Sequence, residues 1–204
     1  MRKTWWARGF ALLYDPFLWA GEVAGMKSRR RALLRQARGR VVEIGAGTGL
    51  NVAHYPPGLA ELILAEPDAS MCKRLLRRAG GRATEITAAA EDLPLDDASV
   101  DTVVSTFVLC TVEGPEAALR EIRRVLRPDG QLLLIKHVRS DVRSRAALQR
   151  LLRKPWASFA RVCRCDQATP ELLRACGFST ELRPARWRAM PSIVTPLVVG
   201  RAFL

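Results

Sequence analysis

The sequence is poor in the residues that mark membrane-spanning and disulfide-linked proteins. It has five cysteines and two histidines among 204 residues, and an odd number of cysteines without regular spacing argues against a disulfide framework. Its apolar runs are much shorter than the ~20 residues that a helix needs to span a bilayer. No signal peptide is expected, because Arg8 and Asp15 interrupt the first apolar stretch. These absences favour a cytoplasmic protein.

Metal-binding motifs are also lacking along the chain. Cys163 and Cys165 are separated by a single residue, whereas paired zinc ligands have a longer spacing. No histidine lies near them in sequence. The sequence therefore predicts no metal site, and we expect the thiols to be reduced and partly buried.

Acidic residues are few relative to basic ones. Lys and Arg total 33, Asp and Glu total 20, and the formal net charge is +13. Such a charge fits a nucleic acid or an anionic membrane as partner. The densest basic cluster comprises Arg29, Arg30, Arg31, Arg35, Arg38 and Arg40. Because neither a nucleic-acid-binding module nor interleaved aromatic residues accompany it, we interpret it as a solvated surface and expect no nucleic-acid partner.

Residues 40–138 alternate apolar, β-branched runs with helical segments. Five strands are predicted at 40–44, 62–65, 83–88, 100–107 and 131–138. Two intervening helices are predicted at 70–79, with Ser70 as the N-cap, and at 115–126, with Pro115 in the first turn. This alternation is typical of an α/β protein with a doubly wound, mostly parallel sheet.

The flanking segments follow a different pattern. Helices are predicted at 22–38, 141–153 and 169–175, and strands at 179–183 and 193–203 form an antiparallel edge hairpin that completes seven strands. Residues 5–19 predict an aromatic-rich helix or lid. We expect one domain, in which 1–39 form a helical lid, 40–138 a cofactor-binding core, and 139–204 the substrate-side helices and edge hairpin.

Three alternating glycines, Gly45, Gly47 and Gly49, follow the first predicted strand. A strand, a glycine-rich turn and a helix start form the usual ligand crevice of a doubly wound sheet. A nicotinamide-binding loop would place a glycine at position 50, where this chain has Leu50. The pattern therefore favours a different cofactor.

Acidic residues occupy suitable positions around this turn. Glu66 ends the second strand, where its carboxylate could accept both hydrogen bonds from a ribose diol. Glu43 precedes the turn and suits a ligand that carries an ammonium and a sulfonium group. Ala90 and Glu91 follow the third strand, where an adenine ring would lie.

The chain resembles the class I S-adenosyl-L-methionine (SAM)-dependent methyltransferases of the type 11 kind. The motifs that carry the resemblance are VVEIGAGTG, LILAEPD, AAAEDLP, VDTVVSTF and REIRRVLRPDGQLLL, within residues 40–138. The resemblance implies a Rossmann-like fold that binds SAM. It further implies the following cofactor contacts: Gly45, Ala46, Gly47 and Gly49 at the methionine and ribose, Glu66 at the ribose hydroxyls, Ala90 and Glu91 at the adenine, and Thr106 and Phe107 below the methyl group. Tyr14, Glu43, Asn51 and Pro67 complete the expected cofactor-binding set.

A narrower resemblance concerns the methyl acceptor. The segment 108–112, His137 with Val138, and the region around Trp156 and Cys163 are similar to the membrane-associated thiol S-methyltransferases, also called the methyltransferase-like type 7 group. Lys136 stands where those relatives usually carry Glu. Bacterial phospholipid N-methyltransferases share the same core motifs.

We therefore expect methyl transfer from SAM to a heteroatom of a small apolar acceptor, with a thiol favoured. A phospholipid amine is the alternative, followed by RNA or DNA methylation and by SAM binding without catalysis. His137, at the end of the fifth strand, is the candidate general base; a structural histidine bonded to a backbone carbonyl is the competing interpretation. The N-terminal aromatic segment either covers the substrate pocket, packs on the domain or contacts a membrane surface. The sequence does not determine the oligomeric state.

Overall fold

A computed structural model describes residues 13–160 and 163–204. Trp5, Trp6 and Phe10 of the predicted aromatic segment lie outside the described residues. Within these ranges the chain folds into one seven-stranded sheet with helices on both faces.

The sheet has the strand order β3-β2-β1-β4-β5-β7-β6. The strands are β1 (Arg40–Ile44), β2 (Glu61–Ala65), β3 (Thr84–Ile86), β4 (Val100–Thr106), β5 (Leu126–His137), β6 (Ser179–Arg186) and β7 (Pro196–Phe203). Strands β1 to β5 pair in parallel, whereas β7 pairs antiparallel with both β5 and β6. The predicted doubly wound α/β class with an antiparallel edge hairpin is therefore confirmed.

Alternation along the central strands produces two hydrophobic layers. Val42 and Ile44 point into the layer that contains α4 (Pro115–Val125) and α6 (Thr169–Ala175). Val41, next to them on β1, points into the layer that contains α2 (Lys27–Leu34) and α3 (Ala69–Ala79). Successive side chains of a strand face opposite sides, so a strand buried on both faces must be apolar throughout.

Several boundaries in this half of the chain differ from the sequence prediction, and two of the differences have a clear physical reason. The N-cap of α3 is Asp68, not Ser70, because the Asp68 carboxylate accepts the backbone N–H of Ser70. Strand β5 starts at Leu126 instead of residue 131, since Leu126 already pairs with Val100. The predicted stop of α3 is correct: Gly80 adopts the left-handed conformation.

The first helix after the parallel sheet is longer than predicted, whereas α6 has the predicted bounds. Helix α5 spans Arg143–Phe159 and contains Pro155. The segment Ser192–Val194 is a 3₁₀ helix rather than the beginning of β7. No helix in the described ranges is long and apolar enough to cross a bilayer.

The segment before the sheet is helical with a kink. Residues 13–21 form α1, a π-helical turn follows at Glu22–Met26, and α2 ends at Leu34 rather than at residue 38. Gly25 has a φ of +122° inside the π turn, which changes the direction of the helix. This change of direction places α1 over the carboxyl ends of the parallel strands.

Gln149, buried on α5, joins the segments that surround the acceptor side of the sheet. Its side-chain oxygen accepts the N–H of Ser140 at 2.9 Å. Its side-chain nitrogen lies within hydrogen-bond distance of the carbonyls of Val138, Cys165 and Ile193, at 3.1, 3.0 and 2.9 Å. One amide thus connects the end of β5 to two loops.

We expect Gln149→Leu to lower the free energy of unfolding by about 3 kcal/mol, because it leaves several buried polar groups without a hydrogen-bond partner. Urea denaturation measures the change. Gln36→Leu, on an exposed glutamine, serves as the control and should change stability by less than about 0.5 kcal/mol. Equal effects of the two substitutions would show that Gln149 does not hold these segments.

Candidate functional site

The candidate site lies at the carboxyl ends of the parallel strands. The loop 45–49 follows β1, Glu66 follows β2, Thr106 ends β4 and His137 ends β5. Ligands of doubly wound sheets bind in the crevice at this edge, where neighbouring strands send their connections to opposite faces.

The glycines of the loop have separate roles. Gly45 and Gly47 have φ values of +56° and +58°. A Cβ at Gly45 would lie 2.6 Å from Val108, so close packing excludes a side chain there. A Cβ at Gly47 would meet nothing closer than 3.9 Å, which leaves its backbone open to a ligand. Gly49 faces Leu75 of α3 instead of the cleft.

Glu66 fixes the loop to the next strand. One carboxylate oxygen accepts the N–H of Gly47 at 2.7 Å, and the other accepts the N–H of Asp68 at 2.8 Å. A carboxylate oxygen can accept more than one hydrogen bond, from a backbone N–H and from a hydroxyl group. Glu66 therefore combines a structural role with the capacity to hold a diol.

An open cleft of about 260 Å³ lies between this loop and the N-terminal helices. It brings together seven of the predicted cofactor residues, namely Tyr14, Glu43, Gly45, Ala46, Gly47, Asn51 and Thr106. Arg30, Thr48 and Leu50 complete its lining, and the sequence analysis did not assign them to the site.

Glu43 lies at the base of the cleft and is 1% exposed. Its carboxylate accepts hydrogen bonds from the Tyr55 hydroxyl at 2.6 Å and from the Asn51 amide at 2.8 Å. Burial raises the pKa of Glu43 to about 7, although these hydrogen bonds and Arg30 oppose the shift. A bound cation would favour the ionised form.

The basic cluster was predicted to be a solvated surface, but the structure buries one of its members, Arg30. Its side chain is 3% exposed and pairs with Glu22 at 3.0 Å. One guanidinium nitrogen also donates to Asn51 at 2.9 Å and to Thr106 at 3.1 Å. The sequence does indicate this burial. Arg30 is four residues from both Met26 and Leu34, and this spacing places it on the same helix face as these two apolar residues.

Helix α1 is held to the glycine loop through Asp15. The Asp15 carboxylate accepts the Thr48 hydroxyl at 2.7 Å and pairs with Arg78 of α3 at 2.8 Å. The neighbouring Tyr14 lines the cleft, and burial raises its pKa to about 12. A neutral phenol therefore lies above the loop.

The remaining predicted cofactor residues lie beside the cleft rather than in its lining. Glu66 donates its backbone N–H to Ile86 of β3, which aligns the ends of β2 and β3. Pro67 is exposed next to Glu66, Ala90 is buried in the core, and Glu91 accepts the N–H of Gly114 at 3.4 Å.

A buried aromatic stack of Phe107, Trp187 and His137 lies next to Thr106, beyond the lining of the cleft. Phe107 adopts a φ of +62°, and its ring stacks on Trp187 with centroids 4.4 Å apart. His137 packs against Phe107 at 4.9 Å and lies within 3.0 Å of the Val194 carbonyl through Nδ1. Burial lowers the pKa of His137 to about 4, so the imidazole is neutral and a weak base at neutral pH.

The strand order of the sheet, the glycine loop 45–49 and the acidic residues Glu43 and Glu66 together define a class I SAM-dependent methyltransferase. A methyltransferase-domain family matches residues 42–134. A solved SAM-dependent methyltransferase from Thermotoga maritima has the same fold, with a TM-score of 0.72, 23% identity and coverage of 96% of each chain.

Two relatives with higher sequence identity indicate the family within this class. Thiol S-methyltransferase TMT1B of Rattus norvegicus is 32% identical over 211 aligned positions, which cover 93% of this chain and 85% of the relative. Phosphatidylethanolamine N-methyltransferase of Cereibacter sphaeroides is 30% identical over 142 positions, covering 65% of this chain and 68% of that protein. The chain belongs to the methyltransferase family that includes the thiol S-methyltransferases, and its cofactor is SAM.

We expect Glu43→Gln to stabilise the SAM-free protein above pH 7 by up to about 3 kcal/mol. Glu43 keeps its proton in the folded chain up to about pH 7 but loses it near pH 4 when unfolded. Its contribution to stability is therefore complete below pH ~4 and is lost as the pH rises through 7.

Urea denaturation at pH 5 and pH 8 tests this dependence. The difference between Glu43→Gln and the wild-type protein should be small at pH 5 and large at pH 8. Glu113→Gln, on an exposed carboxylate, controls for the general loss of negative charge. A variant that is less stable than wild type at pH 8 would mean that the hydrogen bonds from Asn51 and Tyr55 outweigh the cost of burying an ionised Glu43.

Proposed function

We propose that this enzyme transfers the methyl group of SAM to the sulfur of a small, apolar thiol. The observation that carries the proposal is the similarity to thiol S-methyltransferase TMT1B, which extends over 93% of the chain and so includes the acceptor side. The buried aromatic stack of Phe107, Trp187 and His137 makes the surroundings of Thr106 apolar, which supports an acceptor with an apolar body.

In this proposal the cleft holds SAM in an extended form. Glu66 accepts the ribose hydroxyls beside Pro67, Ala90 and Glu91 flank the adenine, and the loop 45–49 contacts the methionine part. Arg30 attracts the carboxylate of SAM, while Glu43, Asn51 and Tyr14 surround its ammonium group. Thr106 and Phe107 then border the methyl group, because Thr106 ends β4 next to β1 and its loop, and Phe107 follows it.

Transfer is an in-line displacement. The acceptor sulfur forms a bond to the methyl carbon while the bond from that carbon to the sulfonium sulfur breaks, yielding a thioether and S-adenosylhomocysteine. Positioning and the exclusion of water supply much of the rate. His137 remains the proposed base through Nε2, but its lowered pKa limits how much of the thiol it can deprotonate.

An acceptor-side patch also supports contact with an anionic membrane surface. Leu13, Phe17 and Trp19 on α1 are exposed, and the Phe17 ring meets the exposed Phe159 of α5 with centroids 5.6 Å apart. Arginines along α5 surround the exposed Leu151. Apolar side chains among basic ones favour the interface of an anionic bilayer.

Calorimetry and radiolabelled methyl transfer test the enzymatic proposal. The protein should bind SAM and S-adenosylhomocysteine and should methylate apolar thiols in preference to phenols, phosphatidylethanolamine and RNA. We expect Glu66→Ala to weaken SAM binding at least about 100-fold, because it removes two charge-assisted hydrogen bonds to the ribose.

The control for this substitution is Glu181→Ala, on an exposed carboxylate of β6. It should leave SAM affinity unchanged. Preferred transfer to phosphatidylethanolamine would replace the thiol assignment with the phospholipid one, and unchanged SAM affinity in Glu66→Ala would refute the ribose assignment.

Flotation with vesicles tests the membrane contact. The protein should bind vesicles that contain phosphatidylserine and should be released from them by the double substitution Trp19→Ser and Leu151→Ser. Val142→Ser, at an exposed apolar position, is the matched control. Equal flotation of all three proteins would contradict the proposed contact.

A further inference from the structure

We propose that Cys110, His137 and Cys163 form a zinc site with an open fourth position, and that an acceptor thiolate binds there. The second part rests on the proposed function; the zinc site itself does not. The three residues lie in different parts of the chain: Cys110 in the turn after β4, His137 at the end of β5, and Cys163 between α5 and α6.

The donor atoms lie within about 1 Å of the spacing that tetrahedral zinc needs. One ligand atom from each residue lies within 4.8 Å of the other two, and all three residues are buried. Bonds of about 2.3 Å to sulfur and about 2.0 Å to nitrogen separate tetrahedral ligands by about 3.5 to 3.8 Å. A contraction of about 1 Å would therefore complete the coordination.

The backbone holds these donors in place. The N–H of Arg164 donates to the carbonyl of Cys110 at 2.7 Å, which fixes the loop of Cys163 beside that of Cys110. Nδ1 of His137 donates to the carbonyl of Val194, so Nε2 keeps its lone pair for a metal. Zinc-bound histidines commonly bond a backbone carbonyl through their second nitrogen.

A buried donor without a partner points to the same site. The indole nitrogen of Trp156 is buried and has no hydrogen-bond partner among the described residues. It lies beside the side chain of Cys163. An indole N–H directed at a metal-bound thiolate would satisfy both groups.

The charges favour an anionic fourth ligand. Two cysteine thiolates neutralise Zn²⁺, and the imidazole adds no charge. Lys136, next to His137, is 1% exposed. Its ammonium donates to the amide oxygen of Gln167 and forms no salt bridge within the described parts of the chain. A thiolate on the zinc would supply the negative charge that this buried ammonium lacks.

The proposed site adjoins the cofactor cleft. The Cys110 thiol donates to the carbonyl of Phe107, and the Phe107 ring packs on His137. A thiol that binds there loses its proton to solvent, and its sulfur bonds to zinc. That sulfur then takes the methyl carbon as the sulfonium bond breaks, so the products remain the thioether and S-adenosylhomocysteine.

Metal analysis of the reduced, full-length protein tests the site without relying on activity. After zinc loading and gel filtration, the wild-type chain should retain about one equivalent of zinc, and Cys110→Ser and Cys163→Ser less than about 0.1. Cobalt exchanged into the wild-type protein should give tetrahedral d–d bands and sulfur-to-cobalt charge transfer. His137→Gln should weaken both signals.

Cys165→Ser is the matched control, because Cys165 is a buried thiol two residues from Cys163 that lies outside the cluster. It should retain zinc and the cobalt bands, with circular dichroism verifying the fold of every variant. Absence of zinc from reduced wild-type protein, a disulfide between Cys110 and Cys163 in place of a metal, or equal loss in Cys165→Ser would overturn the site.

A second experiment tests whether the metal binds the acceptor thiol, and it can fail without the proposed function failing. Adding an apolar thiol to the cobalt protein should shift its charge-transfer band, and removing the metal should lower thiol methylation at least about tenfold while SAM affinity is unchanged. Full thiol methylation by the metal-free protein would overturn the acceptor role but leave the proposed function intact. A zinc-loaded protein that binds SAM but methylates no thiol would overturn both.

Discussion

The buried guanidinium of Arg30 is the interaction on which the candidate site depends. A charge that is 3% exposed is stable only when it is paired and hydrogen-bonded. Glu22 supplies the opposite charge from the π turn, and Asn51 and Thr106 accept the remaining hydrogen bonds. The guanidinium also lies 5.4 Å from the Phe107 ring. One side chain therefore attaches the helices before the sheet to the ends of two strands, and the cleft exists because those helices are held there.

The central sheet could be predicted from the sequence, because the apolar runs and turn residues that indicate its strands are local features. The strand predicted at 40–44 and the helix predicted at 169–175 agree with the structure residue for residue. The alternating glycines predicted a tight turn, and Gly45, Gly47 and Gly49 all have positive φ. Cofactor class could be inferred for the same reason: the loop, Glu66 and the end of β4 occur in an order that the chain itself displays.

Interactions between distant parts of the chain could not be predicted in this way. The burial of Arg30 is hidden by five neighbouring arginines in the sequence, and only its spacing from Met26 and Leu34 indicates it. Cys163 has no histidine near it in sequence, but the fold brings His137 and Cys110 within 4.8 Å of it. The prediction of the N-cap of α3 was wrong for a simpler reason. Asp68 and Ser70 are both good N-cap residues, and only the backbone geometry distinguishes them.

The acceptor side places a chemical demand on the substrate that the cofactor side does not. In the proposed reaction, the buried stack of Phe107 and Trp187 favours an acceptor with an apolar body, and the buried ammonium of Lys136, which donates to Gln167, favours a negative charge at the reacting end. A phospholipid amine would bring a second positive charge, which is unfavourable where water is excluded. A thiol satisfies both conditions, because it enters neutral and becomes an anion at the site. The Lys136 ammonium, which forms no salt bridge with any residue that the structure describes, thus favours sulfur over nitrogen as the methylated atom.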